Sequence, residues 1–213
     1  TRNPAFQNTL GYDANIIDMP NTGNAQLGNS QTSATVRFSS PQEMIIAHVL
    51  STAITQYNPT FDFDKTATDI NGGSLVPGDV LRYQLNYNNA GNDSSTHTII
   101  LDNIPSGTTY SSGSLKINGV SKTDGSGDDQ AEYDFTNNRV IFRLGVGANS
   151  STGGNVGSGQ SGNVQFDVVT ASSCEVLSCL GNVQNSALIN YNGKTSGSSL
   201  YDSSGVNTSG CIT

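Results

Sequence analysis

The chain has 213 residues, of which only 12% are charged, and its net charge is −8. This acidic balance, with a pI near 4.4, excludes a nucleic-acid-binding protein, because phosphates require a basic surface. The longest apolar stretch, Met44–Leu50, is far shorter than the roughly 20 residues that span a bilayer. Gly, Ser, Thr and Asn make up nearly half of the chain, which excludes a coiled coil or helical bundle and favours an extracellular β protein.

Residues 1–59 are predicted to be the terminal strands and loops of a preceding β module. Apolar and polar side chains alternate in Ser33–Phe38, and a second candidate strand, Glu43–Tyr57, follows after a short polar turn. This pattern predicts a β-hairpin. An isolated hairpin buries too little surface to be stable, so we expect it to complete a preceding module or to pack on the next domain. Asn58-Pro59 is the predicted joint.

Residues 60–195 are predicted to form an antiparallel β-sandwich of immunoglobulin type. About seven short segments alternate apolar and polar side chains, with Gly, Asn, Asp or Pro between them, which is typical of short strands joined by tight turns. The polar stretch 196–213 is predicted to be a linker to a following module. The segments with the clearest alternation are Phe61–Ala67, Leu81–Tyr87, Thr96–Asp102, Val140–Leu144, Val164–Val168 and Val183–Tyr191.

Several short motifs follow one another in this predicted sandwich. They are Lys65-Thr66, Pro77–Tyr83, Asn88–Asp93, Leu101–Tyr110, Gly127–Asp134, Arg143–Ala148 and Asn185-Ser186-Ala187. As an ordered set they resemble the DUF-eleven type conserved repeat domain of large Bacteroidetes cell-surface proteins, which act in gliding and adhesion and are exported by the type nine system. The resemblance implies an immunoglobulin-like module of a secreted surface protein, with no enzymatic activity.

Groups suited to catalysis are sparse in this sequence. Its two histidines are His48 and His97, and none of its many serines has the sequence context of a nucleophile elbow. The alternation around His97 predicts a packed strand residue rather than a general base. We therefore expect no catalytic residues and no enzyme.

The loop 124–129 is the best candidate for a metal site. Asp124, Asp128 and Asp129 lie close together in a Gly-rich segment, and Ca²⁺ prefers carboxylate and carbonyl oxygens. The spacing differs from that of an EF-hand, which leaves a second interpretation open. In that interpretation the segment is a solvated turn whose aspartates accept hydrogen bonds from nearby backbone N–H groups.

The cysteines predict a disulfide. Cys174 and Cys179 would close a small loop between two late strands, and an oxidising compartment permits such a bond. A zinc site is excluded because four ligands are needed and no histidine lies nearby in the sequence. The alternatives are free thiols or pairing with Cys211, which is otherwise left over.

Lys65 has the strand phase of Phe61 and Phe63, which places a charged side chain on the predicted core face. A buried lysine must be paired, neutral or covalently used. With Asn185 on a late strand and Asp79 as a nearby acid, Lys65 resembles the residues of the self-generated isopeptide cross-links found in some bacterial pilin and adhesin domains. Asp102 is the alternative acid, and a buried ion pair or a snorkelling lysine is the alternative to a cross-link.

These features predict a non-enzymatic stalk module of a bacterial cell-surface adhesin, located outside the cell. Its partners would be the neighbouring modules of the same polypeptide, with no nucleic acid and no direct membrane insertion. One alternative is a calcium-assisted module that binds a glycan or a protein, in which Tyr110, Tyr191 and Tyr201 would be exposed and stack on sugars. Another is a pilin-like subunit that polymerises by strand pairing.

Overall fold

The computed structural model describes residues 16–28, 31–39, 41, 49–54, 56–172 and 182–210. It divides into two compact units, Thr1–Ala53 and Ile54–Thr213. The described residues form thirteen β-strands, one 3-10 turn at Thr22–Asn24 and no α-helix, and within them no helix is long and apolar enough to cross a membrane. The strands are β1 (Phe61–Asp69), β2 (Val80–Asn89), β3 (Ser95–Asn103), β4 (Thr108–Tyr110), β5 (Lys116–Ile117), β6 (Val120–Ser121), β7 (Ala131–Asp134), β8 (Arg139–Arg143), β9 (Ser161–Thr170), β10 (Asn182–Asn185), β11 (Ala187–Gly193), β12 (Ser199–Ser203) and β13 (Asn207–Gly210).

The predicted hairpin before the sandwich is absent from the residues that the structure describes. Ser33–Phe38 forms no strand, and neither do the described parts of Glu43–Tyr57. Val36 is 48% exposed and Phe38 54% exposed, so the alternating pattern does not bury its apolar face. Alternation by itself is insufficient because a strand is stabilised by its neighbours in a sheet.

The second unit is an immunoglobulin-like β-sandwich, as the sequence predicts. One sheet has the strand order β1-β2-β9-β5-β6, with β4 also paired to β9, and the other has the order β12-β11-β3-β8-β7. A short ribbon of β10 and β13 completes the unit. All of these strand pairs are antiparallel.

The core lies between the two sheets and follows the period of two in the sequence. In β2 every second residue is buried, and β1 is buried at its first, third and fifth positions. Tyr83, Phe142 and Phe166 are the largest fully buried side chains. Because successive side chains in a strand point to opposite faces, these inward positions bring both sheets into one apolar cluster.

The segment before β1 is bound to the sandwich. Asn92 accepts a hydrogen bond from Asn58 N at 3.0 Å through Oδ1, and its Nδ2 donates to the Gln56 carbonyl at 2.9 Å. Gly91 makes this approach possible, because a Cβ there would lie 2.3 Å from the Asn58 carbonyl oxygen. These contacts hold the segment before β1 against the turn that follows β2.

The stretch predicted as a linker from residue 196 contains strands β12 and β13. Phe61 N donates to Asp202 Oδ2 at 3.0 Å, and Asn207 Nδ2 donates to the Lys65 carbonyl at 3.3 Å. Residues 202–207 therefore run beside β1 in the same direction, from Phe61 towards Lys65. Short edge strands bury few side chains of their own. The polar composition of this stretch therefore gives no strand pattern in the sequence, although the stretch forms strands.

Candidate cross-linking site

Three polar side chains from three different strands meet inside the sandwich. Lys65 comes from β1, Asp102 from β3 and Asn185 from β10, and as whole residues they are only 6%, 1% and 6% exposed, respectively. Each occupies an inward-facing position of its strand. The period of two fixes the face of each residue, and the packing of the sheets then brings the three together.

The Lys65 ammonium and the Asp102 carboxyl are in direct contact. Lys65 Nζ donates to Asp102 Oδ2 at 2.5 Å, and neither side chain is accessible to solvent. The other carboxyl oxygen, Asp102 Oδ1, is buried without a hydrogen bond, as is Asn185 Nδ2. The Asn185 amide is nevertheless close enough to lower the pKa of Asp102. The register explains this proximity, because Ala187, two residues after Asn185, is the β11 partner of Asp102.

The surroundings of Lys65 are apolar and aromatic. Its Nζ lies 4.3 Å from the centroid of the Tyr83 ring and 5.4 Å from that of Phe166. Burial lowers the pKa of Lys65 to about 8, although the Asp102 carboxylate opposes this shift. Burial also raises the pKa of Asp102 to about 6, against the opposing effects of Lys65 and Asn185. Both shifts favour the neutral forms, an amine and a carboxylic acid, because charges are poorly solvated here.

This arrangement has the components of an amide-forming reaction. A neutral amine is a nucleophile, a carboxamide is an electrophile, and a carboxylic acid can move protons between them. The side chains are excluded from water, and each is attached to a different strand of a rigid sandwich. The described residues thus hold an amine, an acid and an amide in one buried cluster, in which the Asn185 amide also stabilises the carboxylate form of Asp102.

The acid at this site is Asp102, and Asp79, the first choice from the sequence, lies elsewhere. Lys65 pairs with Leu85 in the β1–β2 ladder, and Asp79 is six residues before Leu85, which corresponds to about 20 Å along a strand. Asp79 instead accepts a hydrogen bond from Val76 N at 2.8 Å in its own turn. Asp79 shares the alternation of β2. That alternation predicts the face of the sheet on which Asp79 lies, but not its distance from Lys65.

The sequence analysis did not identify Asn207, which also belongs to this site. Asn207 is the β13 partner of Asn185, and its Oδ1 is buried without a hydrogen bond. Its surroundings in the sequence are polar and carry no alternating apolar pattern. The pairing of β10 with β13 and the hydrogen bond from Asn207 Nδ2 to the Lys65 carbonyl locate Asn207 here.

The carboxylates of the predicted calcium loop accept hydrogen bonds from nearby protein groups. Asp124 accepts from Tyr110 Oη at 2.5 Å, Ser112 Oγ at 2.5 Å and Gly113 N at 2.8 Å. Asp128 accepts from Asp129 N, and Asp129 accepts from the backbone N–H groups of residues 123 and 131. No group of three or more acidic, His or Cys side chains suited to a metal occurs within the described residues. The calcium site stays a prediction.

We expect Asp124→Ala to lower the free energy of unfolding by about 1–3 kcal/mol when a chelator is present. The substitution leaves the Tyr110 hydroxyl and Gly113 N without their acceptor, whether or not an ion is bound. Chemical denaturation followed by fluorescence measures the effect. Asp128→Ala, at an exposed position of the same loop, is the control and should change stability by about 0.5 kcal/mol or less. A loss that appears only with added Ca²⁺ would instead support the calcium site.

The cysteines of the predicted disulfide, Cys174, Cys179 and Cys211, lie outside the residues that the structure describes.

Two of the three tyrosines predicted to be exposed for sugar stacking are buried. Tyr110 is 8% exposed and Tyr191 5% exposed, while Tyr201 is 71% exposed. The first two therefore belong to the core, because their rings fill space between the strands while their hydroxyls donate to Asp124 and Asp202.

His97 also differs from its prediction. It is exposed and adopts a positive φ of 54°, a backbone conformation in which the regular strand pattern is interrupted. Its Nδ1 lies 3.3 Å from Thr96 Oγ1. The buried positions in this part of β3 are Thr98, Ile100 and Asp102. His97 therefore lies on the outward face with Ile99 and Leu101, and its ring is on the surface rather than packed.

Comparison with known proteins relates the fold to surface proteins. No protein-family model and no curated protein matches the sequence. The full-length major pilin SpaD from Corynebacterium diphtheriae is similar with a TM-score of 0.50 and 13% identity, over 70% of this chain and 34% of the pilin. BcpA, the major pilin subunit of Bacillus cereus, is similar with a TM-score of 0.44 and 11% identity, over 70% of this chain and 39% of BcpA. The collagen binding subdomain of Enterococcus faecalis surface protein ACE is similar with a TM-score of 0.43 and 19% identity, over 71% of this chain and 96% of the subdomain.

The chain thus spans about a third of the length of SpaD. At these identities the likeness shows the fold alone. The immunoglobulin-like β-sandwich is thus similar in fold to the major pilin SpaD.

Proposed function

We propose that this chain is a load-bearing module of a bacterial cell-surface stalk, stabilised by an internal amide bond between Lys65 and Asn185. The buried contact of Lys65 with Asp102 beside the Asn185 amide is the observation that carries the proposal. The fold shared with the major pilin SpaD supports a surface role, as does the resemblance to repeat domains of large surface proteins. The module acts outside the cell and has no catalytic turnover.

The cross-link forms in a single balanced reaction. Lys65 Nζ gives a proton to Asp102, and the neutral amine attacks Cγ of Asn185, whose carbonyl oxygen is polarised by the protonated acid. A C–N bond forms between Lys65 and Asn185. Asp102 passes its proton to the departing Nδ2, the Cγ–Nδ2 bond breaks, and ammonia leaves. The attacking nitrogen of Lys65 still carries two protons and gives one of them to the Asp102 carboxylate, so Asp102 ends protonated. The Lys65 side chain ends as a neutral amide, which removes a buried charge from the core.

The positions of the two strands make this bond mechanically useful. The chain enters the sandwich at Phe61, and residues 202–207 run beside β1 in the same direction. Opposed forces on the two ends of the unit therefore slide β1 against its C-terminal neighbour. A covalent bond from β1 to β10 opposes this motion more strongly than the hydrogen bonds of Asp202 and Asn207 to β1.

An alternative pilin-like role, polymerisation by strand addition, has less support at this edge. The side chains of Asp202 and Asn207 already form hydrogen bonds with backbone groups on the outer side of β1. The β1 edge is therefore covered by residues of its own chain. Strand pairing between copies at other edges stays a prediction.

The intact mass of the purified chain tests the cross-link. We expect the wild-type mass to be lower than the sequence mass by one NH₃, because the reaction releases ammonia and adds nothing. Lys65→Met and Asn185→Ala should each show the full sequence mass. Tandem mass spectrometry of a digest should recover one branched peptide that joins the segments around residues 65 and 185.

Gln184→Ala is the matched control, since Gln184 is exposed and precedes Asn185 on the same strand. It should retain the loss of ammonia. A wild-type chain with the full sequence mass after complete folding would contradict the cross-link and leave Lys65 and Asp102 as a buried ion pair.

A further inference from the structure

We propose that Asn207 is a positioning residue for the cross-linking reaction and that strand β13 completes its site. This inference rests on the proposed function, because it concerns how Asn185 is presented to Lys65. The observation that carries it is a buried amide oxygen without a partner on the residue directly opposite Asn185. Asn207 Oδ1 is that atom, and Asn207 and Asn185 are paired across the β10–β13 ribbon.

The two amides face the same side of the ribbon. Residues directly opposite each other on antiparallel strands have their Cβ atoms about 4.5–5.5 Å apart and point to one face. Asn185 Nδ2 is a buried donor without a hydrogen bond, and Asn207 Oδ1 is a buried acceptor without one. Asn185 Nδ2 lies close enough to Asp102 to lower the pKa of that carboxyl, so a rotation of the Asn185 amide would bring this donor to the complementary Asn207 oxygen.

Asn207 is also attached to the strand that carries the nucleophile. Its Nδ2 donates to the carbonyl oxygen of Lys65 at 3.3 Å. One side chain therefore contacts the backbone of Lys65 with its donor and faces the side chain of Asn185 with its acceptor. This position is suited to fixing the relative placement of the two reacting residues.

The orientation of the Asn185 amide determines whether the reaction can proceed. When Asn207 Oδ1 holds Nδ2 of Asn185, the carbonyl oxygen of Asn185 is directed away from Asn207 and is left for the acid of Asp102. In the flipped orientation the carbonyl oxygen would face the Asn207 oxygen, which is repulsive. Asn207 thus selects the amide rotamer in which the acid polarises the carbonyl for attack. Asp102 donates a proton to Nδ2 only afterwards, when the C–N bond to Lys65 has formed.

The rate of ammonia loss during refolding tests this role. The full chain is isolated unreacted from inclusion bodies in urea and refolded by dilution, and its intact mass is followed with time. We expect Asn207→Ala to slow the reaction by roughly tenfold to a hundredfold, the usual effect of a misplaced reacting group. Asn207→Asp keeps an acceptor and should react faster than Asn207→Ala. Its added carboxylate should also move the alkaline limb of the pH–rate profile upward, because it favours the charged form of Lys65.

Thr208→Ala is the matched control, at an exposed position next to Asn207 on the same strand. It should react at the wild-type rate. To separate positioning from folding, Asn207→Ala is also made in a Lys65→Met background, where no cross-link can form. The expected result is a folded protein with a denaturation midpoint close to that of Lys65→Met alone.

The possible failures are distinguishable. A wild-type chain that never loses ammonia overturns the proposed function itself. If the wild-type chain reacts and Asn207→Ala reacts equally fast, only the role of Asn207 is overturned. The role is also overturned if Asn207→Ala unfolds the Lys65→Met chain, or if tandem mass spectrometry locates the branch at Asn207 instead of Asn185.

Discussion

Pulled from its two ends, the wild-type chain should unfold with roughly 400 Å less gain in contour length than the Asn185→Ala variant. The proposed Lys65–Asn185 bond bypasses residues 66–184, so with this bond in place a force on the ends cannot extend them. Each residue that is withheld from extension removes about 3.3–3.6 Å of contour. Single-molecule force spectroscopy with attachment at both termini measures this difference, and residues 1–53 contribute equally in the two proteins.

The same bond should stabilise the sandwich against thermal and chemical unfolding. Closing a loop of about 120 residues contributes about 5 kcal/mol through the entropy of the unfolded chain. Asn185→Ala loses this contribution and should unfold at a clearly lower denaturant concentration, whereas Gln184→Ala should not. Equal contour gains for the wild-type and Asn185→Ala proteins would show that no covalent bond connects β1 to β10.

Replacement of Asp102 by Asn should abolish the loss of ammonia and destabilise the folded chain. The substitution keeps the size of the side chain but removes the group that accepts the Lys65 proton and returns it to the leaving nitrogen. It also leaves a buried ammonium without a counter-charge, which costs about 3–5 kcal/mol when the amine stays charged. Intact mass and chemical denaturation measure the two effects separately.

The pH dependence of the wild-type refolding reaction gives a second test of Asp102. The reactive pair of amine and acid carries the same number of protons as the ammonium and carboxylate pair, so the rate should be flat between the two pKa values. The pKa of Asp102 is raised to about 6 and that of Lys65 is lowered to about 8. The rate should fall below about 6, where Lys65 stays protonated beside a neutral Asp102, and above about 8, where the acid proton is lost.

A double variant, Lys65→Met with Asp102→Leu, separates the cost of the unpaired charge from the absence of the cross-link. Both charged groups are absent from it, so it should be more stable than Asp102→Asn alone. A reaction of Asp102→Asn at the wild-type rate would contradict the proton-transfer role of Asp102.

In β1 and in the segment 183–191, local periodicity predicts the faces of the strands correctly. The alternation in β1 and in the segment 183–191 places Lys65 and Asn185 on inward positions, and the structure confirms that both are buried. This prediction succeeds because the direction of a side chain in a strand depends only on its phase along that strand. The immunoglobulin-like sandwich follows from the same pattern, repeated between turn residues.

The choice between Asp79 and Asp102 could not be made from such a pattern. Both residues lie near the ends of alternating segments, and the phase says nothing about which strand of the opposite sheet faces Lys65. The contact of Lys65 with Asp102 depends on the order of the strands and on the β3–β11 register, which are set by distant parts of the chain. The sequence of a single segment therefore contains no information about how far Asp79 or Asp102 lies from Lys65.

By itself, the sequence determined an all-β sandwich with an amine and an amide directed into its core, because strand phase and turn residues are local properties. Tertiary structure alone decided that Asp102 completes the pair, that Asn207 faces Asn185 from a stretch predicted to be a linker, and that Ser33–Phe38 forms no strand. Each of these depends on which surfaces pack together. Packing is a property of the whole chain, since the apolar area buried by one strand is provided by its neighbours in space.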